Sequence, residues 1–364
     1  MLRAIRRQQP DAVPYDLQGF NREAERLFVE KTGSTDMVAY FGAERMIENV
    51  HFRPTRLDLK ERFLRYHRLD ERNLVAWHEG QAKPGTFTLN EWGLATVVGS
   101  NPAYDHFEPP LVNAQSLADV ENYPMPDVEA EYRHAHLSGT VKAAHAKGLA
   151  SVARMAVTIY ETAWHIRGFN ELLTDFLTQE DWADCLLDRI TAKSVFRART
   201  FAEAGVDVIH VGDDVGMEDR LLMSPATWRR FLKPRLARVI AAAREVKPDV
   251  LFDYHSDGFV EPLIEDFIEI GINSLNPVQP ECMDPAKLKR QFGDRLSFWG
   301  TIGIQHTMPF GTPADVAAEV KLRCETVGQG GGLILAPTHV LAPEVPHANI
   351  RALVEAAKKY GRYP

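Results

Sequence analysis

The chain has 364 residues, 45% of them apolar, a net charge of −8 and an isoelectric point near 5.9. That length holds one large domain or two small ones, and the apolar fraction suffices for a sizeable core. The acidic balance argues against a nucleic-acid partner, which favours a basic face, but it leaves small anionic ligands open because local charge can oppose net charge.

Cys185, Cys282 and Cys324 are odd in number, far apart and outside any C-x-x-C spacing. This is the pattern of a reducing compartment without a disulfide framework. No apolar run approaches the roughly 18 residues of a membrane helix. Arg3, Arg6 and Arg7 are followed by no apolar signal core. A soluble cytoplasmic protein with a solvated basic start is expected.

In chain order, 20-FNREAERLFVEKTG-33 reads as a helix and 36-DMVAYFG-42 as the first strand of a barrel. The segment 84-PGTFTLNEWGLATVVGS-100 reads as a hairpin with a glycine at its corner, and 101–132 as a Pro-rich, loop-like stretch. From about residue 148 apolar runs alternate with amphipathic ones. Strands are expected at 148–157, 206–212, 248–255, 272–278, 296–302 and 332–337, and helices at 180–205, 225–246, 260–271 and 313–328. Such alternation implies parallel strands joined by helical crossovers. The predicted fold is an α/β (β/α)8 TIM barrel, which takes about 250 residues. Residues 1–35 are expected as an N-terminal extension and 36–364 as a single barrel, with the hairpin and Pro-rich insertion near 84–132. No G-x-G-x-x-G follows the early strands, which disfavours an open dinucleotide-binding sheet.

In a parallel barrel, chemistry gathers at the C-terminal ends of the strands. Nearly every predicted strand leads to polar groups: Glu161, His165 and Arg167; Asp213 and Asp214; His255 and Asp257; Gln279, Glu281 and Cys282; Gln305 and His306; Thr338 and His339. In 252-FDYHSDGF-259, His255 and Asp257 are two apart, so on extended chain they face one side. His339 from a later strand end makes three N and O donors, the number a catalytic zinc site commonly takes. The same residues also have plain structural readings. His255 can be a hydrogen-bonded rim residue and Asp257 can cap the next helix. Asp213 and Asp214 can cap a helix or pair with Arg220. The run 207-DVIHVG-212 has D-x-x-H-x-G spacing, not the D-x-H-x-x-G of corrinoid-binding modules, so His210 is expected in the core.

Four runs in order, 212–235, 255–280, 292–305 and 330–353, resemble the uroporphyrinogen decarboxylase superfamily. The resemblance covers roughly residues 150 to 355 and implies a (β/α)8 barrel. True decarboxylases of that superfamily carry an N-terminal R-Q-A-G-R run. The nearest basic stretch here, 53-RPTRLDLKERFLRYHR-68, does not match it. The sequence is more similar to the branch of zinc-dependent methyltransferases that exchange methyl groups with corrinoid proteins. Their H-x-C motif and later cysteine fall on His255, Asp257 and His339. Both cysteines are thus replaced by harder donors, which suit Zn²⁺ or another divalent ion.

The resemblance therefore implies a metal-dependent methyltransferase, or demethylase, with His255, Asp257 and His339 on the metal. It would move a methyl group between a small methylated substrate, by preference an O-methyl one, and a separate corrinoid protein docked over the barrel mouth. Glu161 and Asp214 are expected as catalytic groups, completing the metal shell or acting as general acid. Arg167 is expected to hold a substrate carboxylate, with Asp213 and Gln279 also binding substrate. A homodimer is the implied assembly. The competing expectation is a decarboxylase or lyase of a small acid or tetrapyrrole, using the Asp213–Asp214 region without metal. A third is a non-catalytic binding protein on the same scaffold.

Overall fold

The structure is a computed structural model that describes residues 1–75, 83–99 and 105–363. Its strands, in chain order, are β1 (Ile47–Val50), β2 (Phe87–Leu89), β3 (Ala95–Val98), β4 (Asp105–Glu108), β5 (Ala150–Ala156), β6 (Val208–Gly212), β7 (Leu251–His255), β8 (Ser274–Asn276), β9 (Ser297–Ile302) and β10 (Leu333–Pro337). Seven of them form one sheet in the order β1-β5-β6-β7-β8-β9-β10, and every neighbouring pair is parallel. With helices between successive strands, this is a TIM-barrel-like α/β fold. The strands of the second half read as nearly unbroken apolar runs because both of their faces are covered.

Alternation of side chains decides what faces inward. Val152, Val208, Leu251, Trp299, Ile334 and Ala336 form one buried cluster with Ala4 and Ile5 of the helix Leu2–Ile5. Two residues further along β5, β6 and β7, on the same face, come Arg154, His210 and Asp253. The outward face packs against the surrounding helices in a larger core. His210 is buried, as expected, and its Nδ1 lies 2.6 Å from Asp253 Oδ2.

The N-terminal residues join the edge strands. Leu335 N donates to Pro14 O at 2.9 Å and Asp16 N to Leu335 O at 2.8 Å, so this segment runs alongside β10. On its other side Glu44 N donates to Tyr15 Oη at 3.2 Å, just before β1.

Two sequence expectations are corrected. The run 36–42 is not a strand: Met37–Tyr40 is a short helix, because the Asp36 side chain accepts from Ala39 N at 3.0 Å and caps it. The strand of the sheet is instead Ile47–Val50. The helix expected over 225–246 is two helices, Pro225–Phe231 and Lys233–Val246. Pro234 has no amide hydrogen to carry the ladder across the junction. The hairpin is present as antiparallel β2 and β3, with Gly93 at φ 82 at its corner. The Pro-rich stretch contributes β4 and a helix Leu117–Glu121; its residues 101–104 lie outside the described residues. Among the described residues no helix is long and apolar enough to cross a membrane.

Candidate active site at the strand ends

His255 closes β7 and points inward. Its Nδ1 lies 2.7 Å from Asn276 Oδ1 at the end of β8. The Asn276 amide nitrogen donates to Trp299 O at 3.3 Å, which fixes which side of the amide is oxygen. Nδ1 of His255 is then the donor in that bond, and Nε2 is turned toward the neighbouring carboxylates. That Nε2 lies 3.8 Å from Asp214 Oδ1.

Two loops bring the carboxylates to it. The loop after β6 and the loop after β7 are joined by Phe259 N to Met217 O at 2.7 Å, Asp257 N to Asp214 Oδ1 at 2.9 Å and Val215 N to Ser256 Oγ at 3.0 Å. The backbones approach so closely that a Cβ on Gly216 would lie 2.5 Å from Asp257 O. Gly258 has φ 79, a conformation that strains any residue with a side chain. Gln279 Oε1 accepts from Gly258 N and holds this turn from the β8 side.

The outcome is a compact donor set. Asp214, His255 and Asp257 each offer one ligand atom, all within 4.8 Å of one another. His339 stands at the edge, its Nε2 3.9 Å from Asp257 Oδ2 and its side chain half exposed. The structure thus brings His255 and Asp257 together as the sequence suggested, with Asp214 inside the set and His339 beside it. Asp257 Oδ1 is buried and has no hydrogen-bond partner among the described residues. Buried carboxylate oxygens are rarely left so, and with an imidazole and a second carboxylate beside it the arrangement fits a divalent cation.

Glu161 and Asp213 lie next to the set. Asp214 N donates to Glu161 Oε2 at 3.1 Å. Burial, followed by the charges of Asp213 and Asp214, pushes the Glu161 carboxyl up to about 9. Asp213 is buried, and its carboxylate accepts from Ile159 N at 3.0 Å and Glu161 N at 3.0 Å, at the start of the helix Tyr160–Arg167. Burial raises it to about 7 against the pull of those amides. Burial also raises Asp257, opposed by His255 and His339.

The raised Glu161 carboxyl makes stability depend on pH. A glutamate whose folded value rises from 4.5 to about 9 contributes stability fully below 4.5 and loses it as pH climbs through about 9. The melting temperature of metal-free protein is therefore expected to fall across that window. Glu161→Gln, which cannot ionise, should flatten the fall. An equally steep profile in Glu161→Gln would remove Glu161 as its source.

Arg167 is not brought to the site. Its guanidinium is buried and bonded to Asp175, Nε to Oδ2 at 2.7 Å, and to Leu111 O at 2.7 Å. Sequence reading also missed two groups. Asn276, which orients His255, sits on the inward face of β8, but strand period alone cannot reveal a cross-strand bond. Glu218 accepts from Gln305 Nε2 at 2.8 Å and from Cys282 Sγ at 3.5 Å. Burial and the Glu218 charge push the Cys282 thiol up to about 12.

Among curated proteins, the chain is 35% identical over 184 residues to the methylcobamide:CoM methyltransferase MtaA of Methanosarcina barkeri, covering 50% of this chain and 51% of that one. It is 23% identical over 188 residues to a uroporphyrinogen decarboxylase of Coxiella burnetii, covering 50% and 48%. The chain thus spans about half the length of the curated relatives it matches. A methyltransferase from Methanosarcina mazei shares the fold, with a TM-score of 0.65, 22% identity and coverage of 99% and 97%. The uroporphyrinogen decarboxylase (URO-D) family matches residues 94–360, a span holding β5 to β10 and every imidazole and carboxylate of the site, and the chain belongs to that family.

Proposed function

We propose that this chain is a metal-dependent methyltransferase that moves a methyl group between a small O-methyl substrate and a separate corrinoid protein. The observation that carries this is the convergence of Asp214, His255 and Asp257 on one point at the strand ends. The 35% identity to the methylcobamide:CoM methyltransferase of Methanosarcina barkeri supports the reaction class. One imidazole and two carboxylates form a hard donor set, suited to Zn²⁺ or a similar divalent ion and to an oxygen ligand more than a thiolate.

Asp214, His255 and Asp257 would hold the metal, with His339 as a further donor at the rim. A bound divalent ion supplies Lewis acidity, which stabilises charge on the oxygen that loses its methyl group. Glu161, whose carboxyl is raised by burial and by the charges of Asp213 and Asp214, would give that oxygen its proton. Asp213 holds the helix that carries Glu161, and Gln279 holds the turn that carries Asp257. Direct substrate contacts by Asp213 and Gln279 would have to be made alongside these bonds.

The corrinoid protein would dock over the C-terminal face of the strands, where the site opens. A (β/α)8 barrel over 36–364 with an N-terminal elaboration of 1–35, a cytoplasmic setting and a homodimer complete the proposal.

The test is elemental analysis of protein purified without chelator, followed by methylation of cob(I)alamin from a methoxybenzoate, read by absorbance. About one zinc or similar ion per chain is expected, with methyl transfer lost on chelation and restored by metal. Metal-free protein that transfers methyl equally well would sink the proposal.

A further inference from the structure

A polar cavity lies where the N-terminal segment meets β1. Its volume is about 240 Å³, and Asp16, Asn49 and Arg154 line it, with Glu44, Arg45 and Glu48 also on its wall. Arg154 projects into the barrel from β5. Its Nε donates to Asn49 Oδ1 at 2.8 Å. Among the described residues its Nη nitrogens have no acceptor. Opposite, Asp16 Oδ2 is buried and, among the described residues, without a partner. The two side chains are the principal charges acting on each other from this wall, yet they do not close to an ion pair.

A buried carboxylate oxygen without a partner is costly unless something joins it, and the Nη end of the half-buried Arg154 faces the same cavity. With Nε already bonded, Arg154 can still offer its Nη end to a carboxylate in two parallel hydrogen bonds. Asp16 Oδ2 can accept from an ammonium. Arg154 and Asp16 carry opposite charges, so a lone anion or a lone cation would answer only one of them, whereas a molecule carrying both charges answers both. Asp253, the other carboxylate near Arg154, is already bonded to His210.

We propose that this cavity binds a small zwitterion of the amino-acid type, its carboxylate on Arg154 and its ammonium on Asp16. Packed side chains link the wall of the cavity to the strand-end site. The Arg154 guanidinium carbon is 5.9 Å from the Trp299 ring, that ring is 6.4 Å from His210, and His210 is 5.6 Å from His255. The zwitterion is therefore either the head of a substrate whose far end reaches His255 or a separate effector of the same chemistry.

Isothermal titration of the full chain with L-alanine, N-acetyl-L-alanine and L-alaninamide tests this. L-alanine should bind about tenfold tighter than either blocked form, the difference one satisfied charge makes. Arg154→Gln and Asp16→Asn should each remove that preference. Val38→Trp, on the lining of the cavity, should block binding by bulk while leaving both charged groups in place, and so covers the case in which the charge variants fail to fold. Equal binding of the three compounds, or no binding beyond what water in the cavity would give, overturns the proposal. So does an unchanged preference in folded variants. Co²⁺-loaded protein separates the two sources: a substrate head with a long side chain, probed with O-methyl-L-tyrosine, shifts the cobalt absorption, and an effector leaves it unchanged. Failure of cobalt to bind would count against the metal site and leave the titration with L-alanine intact.

Discussion

Replacing His255 by alanine is expected to abolish metal retention and methyl transfer together. The imidazole is the one nitrogen donor of the compact set, and the two carboxylates that remain would face each other without it. Asn276→Ala should give a graded loss. Its amide oxygen fixes the His255 ring from 2.7 Å, so its removal frees the ring and the tautomer without deleting the donor. Loss of such an outer partner typically costs about 10–100-fold in metal affinity, and His255→Ala should exceed that. Arg220→Ala is the control: its guanidinium pairs with Asp219 on the surface, so metal content should not change. The measurement is zinc affinity by chelator competition across the three variants. Equal zinc affinity in wild type and His255→Ala would make His255 a hydrogen-bonding residue, and the metal-free lyase expectation would then lead.

The order of those effects follows from features that differ in how openly the sequence carries them. Strands β5 to β10 were readable because apolar runs such as 332-GLILAP-337 are buried on both faces, and no other element needs such composition. β1 was not, since Ile47–Val50 has a polar centre, Glu48 and Asn49, while the more apolar 37-MVAY-40 is drawn into a helix by the Asp36 cap. His255 and Asp257 could be found from strand period and position at a strand end. Asp214 could be named as functional, but its entry into the donor set depends on how Gly216 and Gly258 let two loops touch. That is a contact between segments some forty residues apart, which no local pattern records. Arg154 was passed over for a similar reason: a charge in mid-strand looks like a solvated face until the sheet curls and places it inside.

Arg167 is the residue where sequence position and structural role diverge most, and its substitution is expected to have the largest effect on stability. It lies at the end of the helix after β5, where a substrate carboxylate clamp would be looked for. Its partner is Asp175, eight residues on and across the break at Gly168, a spacing that helical i, i+4 rules do not reach. Arg167 is 8% and Asp175 3% exposed. Beyond the bond to Nε, Nη2 donates to Asp175 Oδ1 at 3.3 Å, and the guanidinium carbon lies 5.2 Å from the Trp182 ring. Arg167→Ala would strand a buried carboxylate, a defect worth about 3–5 kcal/mol. Arg167→Lys should recover little of it, because an ammonium cannot make both contacts to the carboxylate and the one to Leu111 O. Arg167→Met combined with Asp175→Leu, which removes both charges, should regain most of the loss. Urea denaturation gives these differences directly. A clamp on the substrate would behave in the opposite way, with stability near wild type and KM raised, since the group would then be bonded to a ligand and not to the protein. The two roles separate cleanly in the double variant: a structural pair restores folding and activity with it, whereas a lost substrate contact cannot be restored by changing Asp175.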